Sequence, residues 1–186
     1  MTTQSIETLY GSMPTALYQK IASTQLLICD VDGVFSDGRI YLGNQGEELK
    51  AFHTRDGFGI KAIIRNGIDV AVITGRRSQL VQKRMESLNV RYIYQGQEDK
   101  QQAFADLLAQ TQLSAQQCAY IGDDVPDLAI MNQVNLAIAV ADAHPLVKTK
   151  AHYVTQNRGG FGAVRECCDL LLQSRGQLAD FTGASQ

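Results

Sequence analysis

Leu26-Leu27-Ile28-Cys29-Asp30-Val31-Asp32-Gly33-Val34-Phe35-Ser36-Asp37-Gly38 decides how this chain is read. The apolar run Leu26–Ile28 has the character of a buried strand, predicted over Leu26–Val31. Two carboxylates one residue apart then leave that strand into a loop bearing Gly33 and Gly38. Negative charges so close are costly unless a cation or a shared proton neutralises them. Strand residues i and i+2 point to the same side. Asp30 and Asp32 can therefore face one cation, or one can attack while the other moves a proton. That pairing suits chemistry on a phosphate held by a divalent metal.

Outward from this stretch, strand-like runs alternate with helical patterns. Arg39–Leu42 and Glu48–Phe52 flank Gly43-Asn44-Gln45-Gly46 and predict a hairpin spanning about 38–53. A helix over Phe58–Arg65 ends at Asn66-Gly67, and a strand follows over Asp69–Thr74. Ser78 is a candidate cap for a helix whose Leu80, Val81, Met85 and Leu88 fall near the 3.6 period. Next come a strand over Arg91–Tyr94, a helix over Gln101–Gln112, and a strand over Cys118–Ile121 that ends at Gly122-Asp123-Asp124. Pro126 suits the first turn of a further helix. Leu136–Val140 and Tyr153-Val154 read as strands and Ala163–Leu172 as the last helix. The polar tail, about 173–186, is predicted to be mobile.

This alternation predicts an α/β fold with a doubly wound, mostly parallel sheet. One domain over 1–186 is the expectation from length. Ligands in such sheets collect beyond the carboxyl ends of the strands. Asp30/Asp32, Thr74-Gly75-Arg76 and Asp123-Asp124 all fall there.

Of the 186 residues, 45% are apolar and 19% charged, with a net charge of −2, the balance of an ordinary globular chain. A nucleic-acid surface would need a concentrated basic face, which this balance does not offer. No apolar run reaches the ~18 residues of a membrane helix. No apolar stretch follows the start in the manner of a secretory signal, so a cytoplasmic location is expected. Cys29, Cys118, Cys167 and Cys168 form no CxxC and no zinc spacing. They read as buried or spectator thiols in a reducing compartment.

If the sheet reading holds, three strand ends converge. Asp30/Asp32 supply a nucleophile and a proton carrier, and Thr74-Gly75-Arg76 supply a hydroxyl and backbone amides. Lys100 and Gly122-Asp123-Asp124-Val125-Pro126-Asp127 supply a cation and further carboxylates. Singly, each element has a plain structural reading: Asp32-Gly33 and Asp37-Gly38 as turns, Thr74-Gly75 as a strand end, Asp124 as a helix cap. An EF-hand fails, since its Gly would fall at Phe35 and its last Glu at Tyr41. No Walker A sequence is present.

The segments DVDGVFSDG, ITGR, Lys100 and GDDVPD, in that order, resemble the four motifs of the haloacid dehalogenase-like phosphatases. The resemblance implies that Asp30 attacks phosphorus and that Asp32 acts as acid, then base. It implies Mg²⁺ held by Asp30, the Asp32 carbonyl and Asp123, with Thr74 and Lys100 on the phosphoryl oxygens. Asp124 and Asp127 would support the ion's waters or Lys100. Family caps insert between the first and second motifs or the second and third. Here Thr74 to Lys100 holds one helix and one strand, and Asp37 to Asp69 holds a hairpin and a helix, so no cap domain fits. The apolar hairpin, with Ile40, Leu42, Leu49 and Phe52, has open edges that invite pairing with another copy. A homo-oligomer is expected in which neighbours wall each pocket.

The longer run of matching segments, with YQGQEDK, VADAHP and GGFGAVRE, resembles a capless branch acting as a tetramer on an acidic sugar phosphate in lipopolysaccharide precursor synthesis. Such a substrate carries a phosphate and a carboxylate, so cations are needed at both ends. Arg55, Lys61, Arg76 and Arg84 are the candidates beside Lys100. The resemblance also places His53, Thr54, Asp56 and Gly57 along the substrate, and the Arg158–Gly162 loop and the tail over a neighbour's pocket. Without it, His53 and His144 read as structural or solvent-exposed, and Arg84 as a solvated helix charge. Two alternatives stay open: another acidic sugar phosphate, such as a sialic-type acid 9-phosphate, and a non-catalytic oligomerising module. The intact Asp30, Asp32, Lys100 and Asp123 set opposes the latter.

Overall fold

The computed structural model describes residues 4–180. The chain opens with an antiparallel ribbon, β1 (Ser5–Thr8) and β2 (Gly11–Pro14), and a helix α1 (Thr15–Ala22). None of the three announces itself in the sequence, since four-residue strands carry too little alternation to separate from loop.

β3 (Leu26–Cys29) follows, then the short hairpin β4 (Tyr41–Leu42) and β5 (Glu48–Leu49), and α2 (Thr54–Arg65). β6 (Asp69–Thr74), α3 (Gln79–Ser87), β7 (Tyr92–Gln95) and α4 (Lys100–Thr111) complete one half. β8 (Cys118–Gly122), α5 (Leu128–Met131), β9 (Leu136–Ala139), α6 (Pro145–Lys150), β10 (Tyr153–Val154) and α7 (Ala163–Ser174) form the other.

The six strands run in the order β10-β9-β8-β3-β6-β7, every neighbouring pair parallel. From β3 the chain winds to one side through β6 and β7, then returns to wind the other way through β8, β9 and β10. The crevice where winding reverses lies between β3 and β8, beyond their carboxyl ends, where this architecture binds ligands. β3 is fully buried because strands flank it on both sides and helices cover its faces. Leu26, Leu27, Ile28, Val72, Ile73, Tyr120 and Ile121 are the middle of the core. All four cysteines lie in that interior as free thiols. Burial pushes each thiol well above its ordinary range, Cys118 to about 12.

Several expected boundaries move for local reasons. β3 stops at Cys29 because three successive amides, of Val34, Phe35 and Ser36, turn back onto the Val31 carbonyl. The hairpin strands shrink to two residues each, and Phe52 leaves them to pack on the core. α2 starts a turn before Phe58, since His53 Nδ1 accepts the Arg55 amide and caps it. His144 caps α6 in the same way through the Leu146 amide. Ser78 takes the cap position of α3, but its side chain makes no capping bond. Pro126 starts a single tight turn, Val125–Asp127, before the short α5.

The tail begins later than expected. α7 runs through Ser174, and Leu178 packs against the core. The end of the tail, 181–186, lies outside the described residues. Among the described residues no helix is long and apolar enough to cross a membrane.

Candidate active site

Strand register aligns the motifs. Cys29 pairs with Val72 on one side and Ile121 on the other. Two residues on, Val31 stands level with Thr74 and with Asp123. Asp30 and Asp32 thus bracket the row in which the second and fourth motifs present their functional groups.

Lys100, the first residue of α4, reaches into this row. Its Nζ donates to Asp30 Oδ1 at 2.7 Å, to Asp127 Oδ1 at 2.7 Å and to the Tyr120 hydroxyl at 3.2 Å. A buried ammonium is costly unless paired, and here two carboxylates hold it. Burial pulls the Lys100 pKa down, but Asp30 and Asp127 outweigh it and leave it raised.

Asp127 is the organiser. Its Oδ1 accepts from Lys100 and from Tyr120 at 2.7 Å, and its Oδ2 accepts the Asp123 amide at 2.8 Å and the Asp124 amide at 3.1 Å. Four donors fill the roughly four acceptor positions of a carboxylate. Asp30, Asp123 and Asp127 bring oxygens within 4.8 Å of one another. Only the first two retain lone pairs for an ion, so Asp127 orients the others rather than coordinating.

Asp30 and Asp123 carry the marks of crowded acid. Burial pushes the Asp30 carboxyl to about 7, against the pull of Lys100, with Asp127 adding to the rise. Burial, then Asp30 and Asp127, push Asp123 to about 8. No donor reaches the Asp123 carboxylate among the described residues. A divalent cation fits this set: Asp30 and Asp123 would hold it, and its charge would offset the cost of burying the two carboxylates.

Gly33 shapes the loop that carries Asp32. Its φ of +92° is disfavoured for residues with a β-carbon, and a β-carbon there would overlap the Asp123 carboxylate. From the other side the Gly159 and Gly160 backbone packs on Gly33 and Asp37, and the Gly160 amide donates to the Val34 carbonyl at 2.8 Å. The Arg158–Gly162 loop thus buttresses the chain's own first motif. Its position depends on Glu166, fully buried, which accepts from Tyr153, Gln156 and Asn157.

Asp32 faces a partner that the sequence reading passes over. Lys50 Nζ donates to Asp32 Oδ1, and the Lys50 side chain is only 2% exposed. Glu48 Oε1 lies 3.7 Å from the same ammonium and 3.5 Å from the Arg76 guanidinium. The hairpin is thus drawn onto its own catalytic strand ends. No local signal marks Lys50, because a lysine beside a hairpin strand looks like an edge charge. Tyr120, fully buried in β8 two residues before Gly122, looks in the sequence like any core aromatic.

The remaining candidates scatter. Thr74 is buried at the end of β6, and its hydroxyl has no partner among the described residues. Asp124 is exposed and caps the Val125–Asp127 turn, the plain reading of that residue. Asp56 turns into the protein: its Oδ1 accepts the Arg165 amide at 2.8 Å and anchors α7 on α2. Burial raises its pKa. Gly57 lies beneath the Arg84 guanidinium, which a β-carbon would displace. Arg55 contacts His53, while Thr54 and Arg55 are exposed. The Lys61 and Arg84 side chains form no hydrogen bond or ion pair among the described residues.

Comparison with known proteins agrees with this geometry. Residues 89–164 match the model of the haloacid dehalogenase-like hydrolases. The chain is 55% identical over 183 residues to the 3-deoxy-D-manno-octulosonate 8-phosphate phosphatase KdsC of Yersinia pestis, covering 98% of each chain. It is 50% identical over 181 residues to KdsC of Escherichia coli K12, covering 97% of this chain and 96% of that one. The crystal structure of the Yersinia pestis phosphatase superposes with a TM-score of 0.96 over 100% of both chains. A Moraxella catarrhalis phosphatase of the same name, in complex with magnesium ion, phosphate ion and KDO, superposes with a TM-score of 0.86 at 39% identity, over 89% of this chain and 95% of that one.

Proposed function

The chain belongs to the 3-deoxy-D-manno-octulosonate 8-phosphate phosphatases, a branch of the haloacid dehalogenase-like hydrolases, and from this premise we propose how its residues divide the work. It is a phosphatase that hydrolyses 3-deoxy-D-manno-octulosonate 8-phosphate to the free sugar acid and phosphate, in lipopolysaccharide precursor synthesis. Asp30 attacks phosphorus; its new O–P bond forms as the bond to the sugar oxygen breaks. Asp32 gives its proton to that oxygen. Water then attacks the aspartyl-phosphate, Asp32 takes the water's proton, and Asp30 departs as carboxylate.

Thr74 and Lys100 donate to the transferring phosphoryl oxygens, a preorganised arrangement that favours the charge distribution of the transition state. Lys100 is well suited, since Asp30 and Asp127 already fix its ammonium. Asp30, Asp123 and the Asp32 carbonyl would hold Mg²⁺, whose chemistry is to offset charge between nucleophile and phosphate. Asp127 keeps Asp123 and Lys100 in place. Arg55, Lys61, Arg76 and Arg84 are the cations for the sugar carboxylate and the phosphate, with Arg84 held beside Gly57. His53, Thr54 and Gly57 line the approach to them, and Asp56 sets the start of α2 against α7.

The whole chain, 1–186, works as one catalytic domain in the cytoplasm, assembled as a tetramer. Ile40, Leu42 and Leu49 are 52%, 71% and 63% exposed on the hairpin, an apolar face that a second copy would cover.

One observation carries the catalytic reading: the buried chain Asp30–Lys100–Asp127 ends on Asp123, a carboxylate with no donor of its own among the described residues. The test is phosphate release from a set of acidic sugar phosphates with Mg²⁺ and with EDTA. The 3-deoxy-octulosonate 8-phosphate is expected to give the highest kcat/KM, abolished by EDTA and by Asp30→Asn. A higher value for a nine-carbon acid 9-phosphate would overturn the substrate, and turnover by Asp30→Asn would overturn the nucleophile.

A further inference from the structure

We propose that Lys50 is the positioning residue for Asp32, so that the hairpin sets the efficiency of leaving-group protonation. This rests on the reading of Asp32 as the proton carrier.

Lys50 follows β5, whose Leu49 is largely open to solvent, yet its own side chain is almost wholly buried. An ammonium does not leave water without a paired anion. The acids that reach it are Asp32 and, more distantly, Glu48. Glu48 is shared with Arg76 beyond β6, so the hairpin is fixed at two points over the carboxyl ends of β3 and β6. Asp32 itself has no other side-chain donor among the described residues. Its carboxylate is 23% exposed and would otherwise sample several rotamers.

A general acid must lie within hydrogen-bond reach of the oxygen it protonates. Lys50 holds Oδ1 and leaves Oδ2 to carry the proton. Residues 33–49 run between the two partners, so the return path of the hairpin brings Lys50 to Asp32. A cation serving only to recognise the substrate carboxylate would have no reason to be buried against Asp32.

The experiment compares wild type, Lys50→Met and Lys50→Arg on the 8-phosphate and on aryl phosphates of graded leaving-group acidity, such as phenyl and 4-nitrophenyl phosphate. The aryl esters carry no carboxylate and so report on Asp32 alone. On the 8-phosphate, Lys50→Met is expected to lower kcat about ten- to a hundredfold while KM moves less than about threefold. On the aryl series its kcat/KM should depend more steeply on leaving-group acidity than wild type, with Lys50→Arg recovering part of the slope. Tm values matched to wild type exclude a displaced hairpin, and Lys50→Gln supplies the same comparison should Lys50→Met fail to fold. A wild-type slope in the variants, or a raised KM with unchanged kcat, would overturn the proposal. Loss of wild-type activity on the 8-phosphate alone would count against the substrate instead, and the aryl slopes would still decide the role of Lys50.

Discussion

Gly33 presses its backbone against the Asp123 carboxylate, so that the first motif's loop and the fourth motif's acid occupy complementary space. Gly33→Ala must move one or the other, and the positive φ adds strain of about 1 kcal/mol or more. The expected outcome is a kcat at least about a hundredfold lower, with weaker Mg²⁺ binding by calorimetry and a modest fall in Tm. Wild-type Mg²⁺ affinity in this variant would show that the contact is incidental.

Asp127→Ala removes the acceptor of four donors and leaves the Lys100 ammonium with half its pairing. Breaking one side of a buried pair costs about 3–5 kcal/mol. Urea unfolding should show a loss of that order. Lys100→Met in the same background should restore part of the stability while activity stays lost, because the uncompensated charge is gone. Additive effects of the two substitutions would contradict the coupling.

Metal-free stability should depend on pH through Asp30 and Asp123. Their native pKa values, about 7 and about 8, exceed the ordinary 3.8. The native state therefore binds protons that the unfolded chain has released. Stability from these groups is full below the ordinary value and is lost as pH rises through 7 and 8. In EDTA, urea midpoints should fall from about pH 5 to about pH 9. Saturating Mg²⁺ should flatten that fall at the alkaline end, since the cation replaces the protons. A midpoint that rises with pH in EDTA would contradict the assignment.

Glu166 acts at a distance. Its carboxylate accepts from the Tyr153 hydroxyl at 2.6 Å, the Gln156 and Asn157 amides at 2.9 and 3.0 Å, and the Asn157 side chain at 2.7 Å. Glu166→Ala leaves those part-buried donors without their acceptor, at a cost of about 1–3 kcal/mol. The Gly159-Gly160 turn should loosen from Gly33, and kcat should fall although Glu166 touches no reacting group. Hydrogen exchange at Val34 and Gly160 gives the readout; unchanged protection there with lowered kcat would separate the two.

The sheet was legible because its strands are apolar runs with sharp ends. Asp69–Thr74 falls where expected, bounded by Gly67 and Gly75, and the crevice follows from winding order alone. Asp32, Asp123 and Asp124 were legible because each follows a strand with a Gly or another acid beside it, and Asp30 because it stands two residues before Asp32. Asp56 was not: Asp56-Gly57 reads as a turn, and its partner, the Arg165 amide, lies 109 residues away. Lys50 fails for the same reason, since its meaning comes from the return path of the hairpin rather than from its neighbours. His53 and His144 look like candidate ligands by type, yet each spends Nδ1 on a helix amide, a local role that the backbone decides.

The four interior thiols give the enzyme an unplanned property. Each is sequestered and strongly protonated, and the thiolate is the reactive form. An alkylating reagent meets them only when the interior opens. Cys29 lies on β3 and Cys167 and Cys168 on α7, while Cys118 starts β8 beside the Ser114 carbonyl, all in the interior, so labelling of all four keeps time with opening of the whole molecule. The native chain thus carries its own chemical clock for unfolding, readable by mass without any introduced probe.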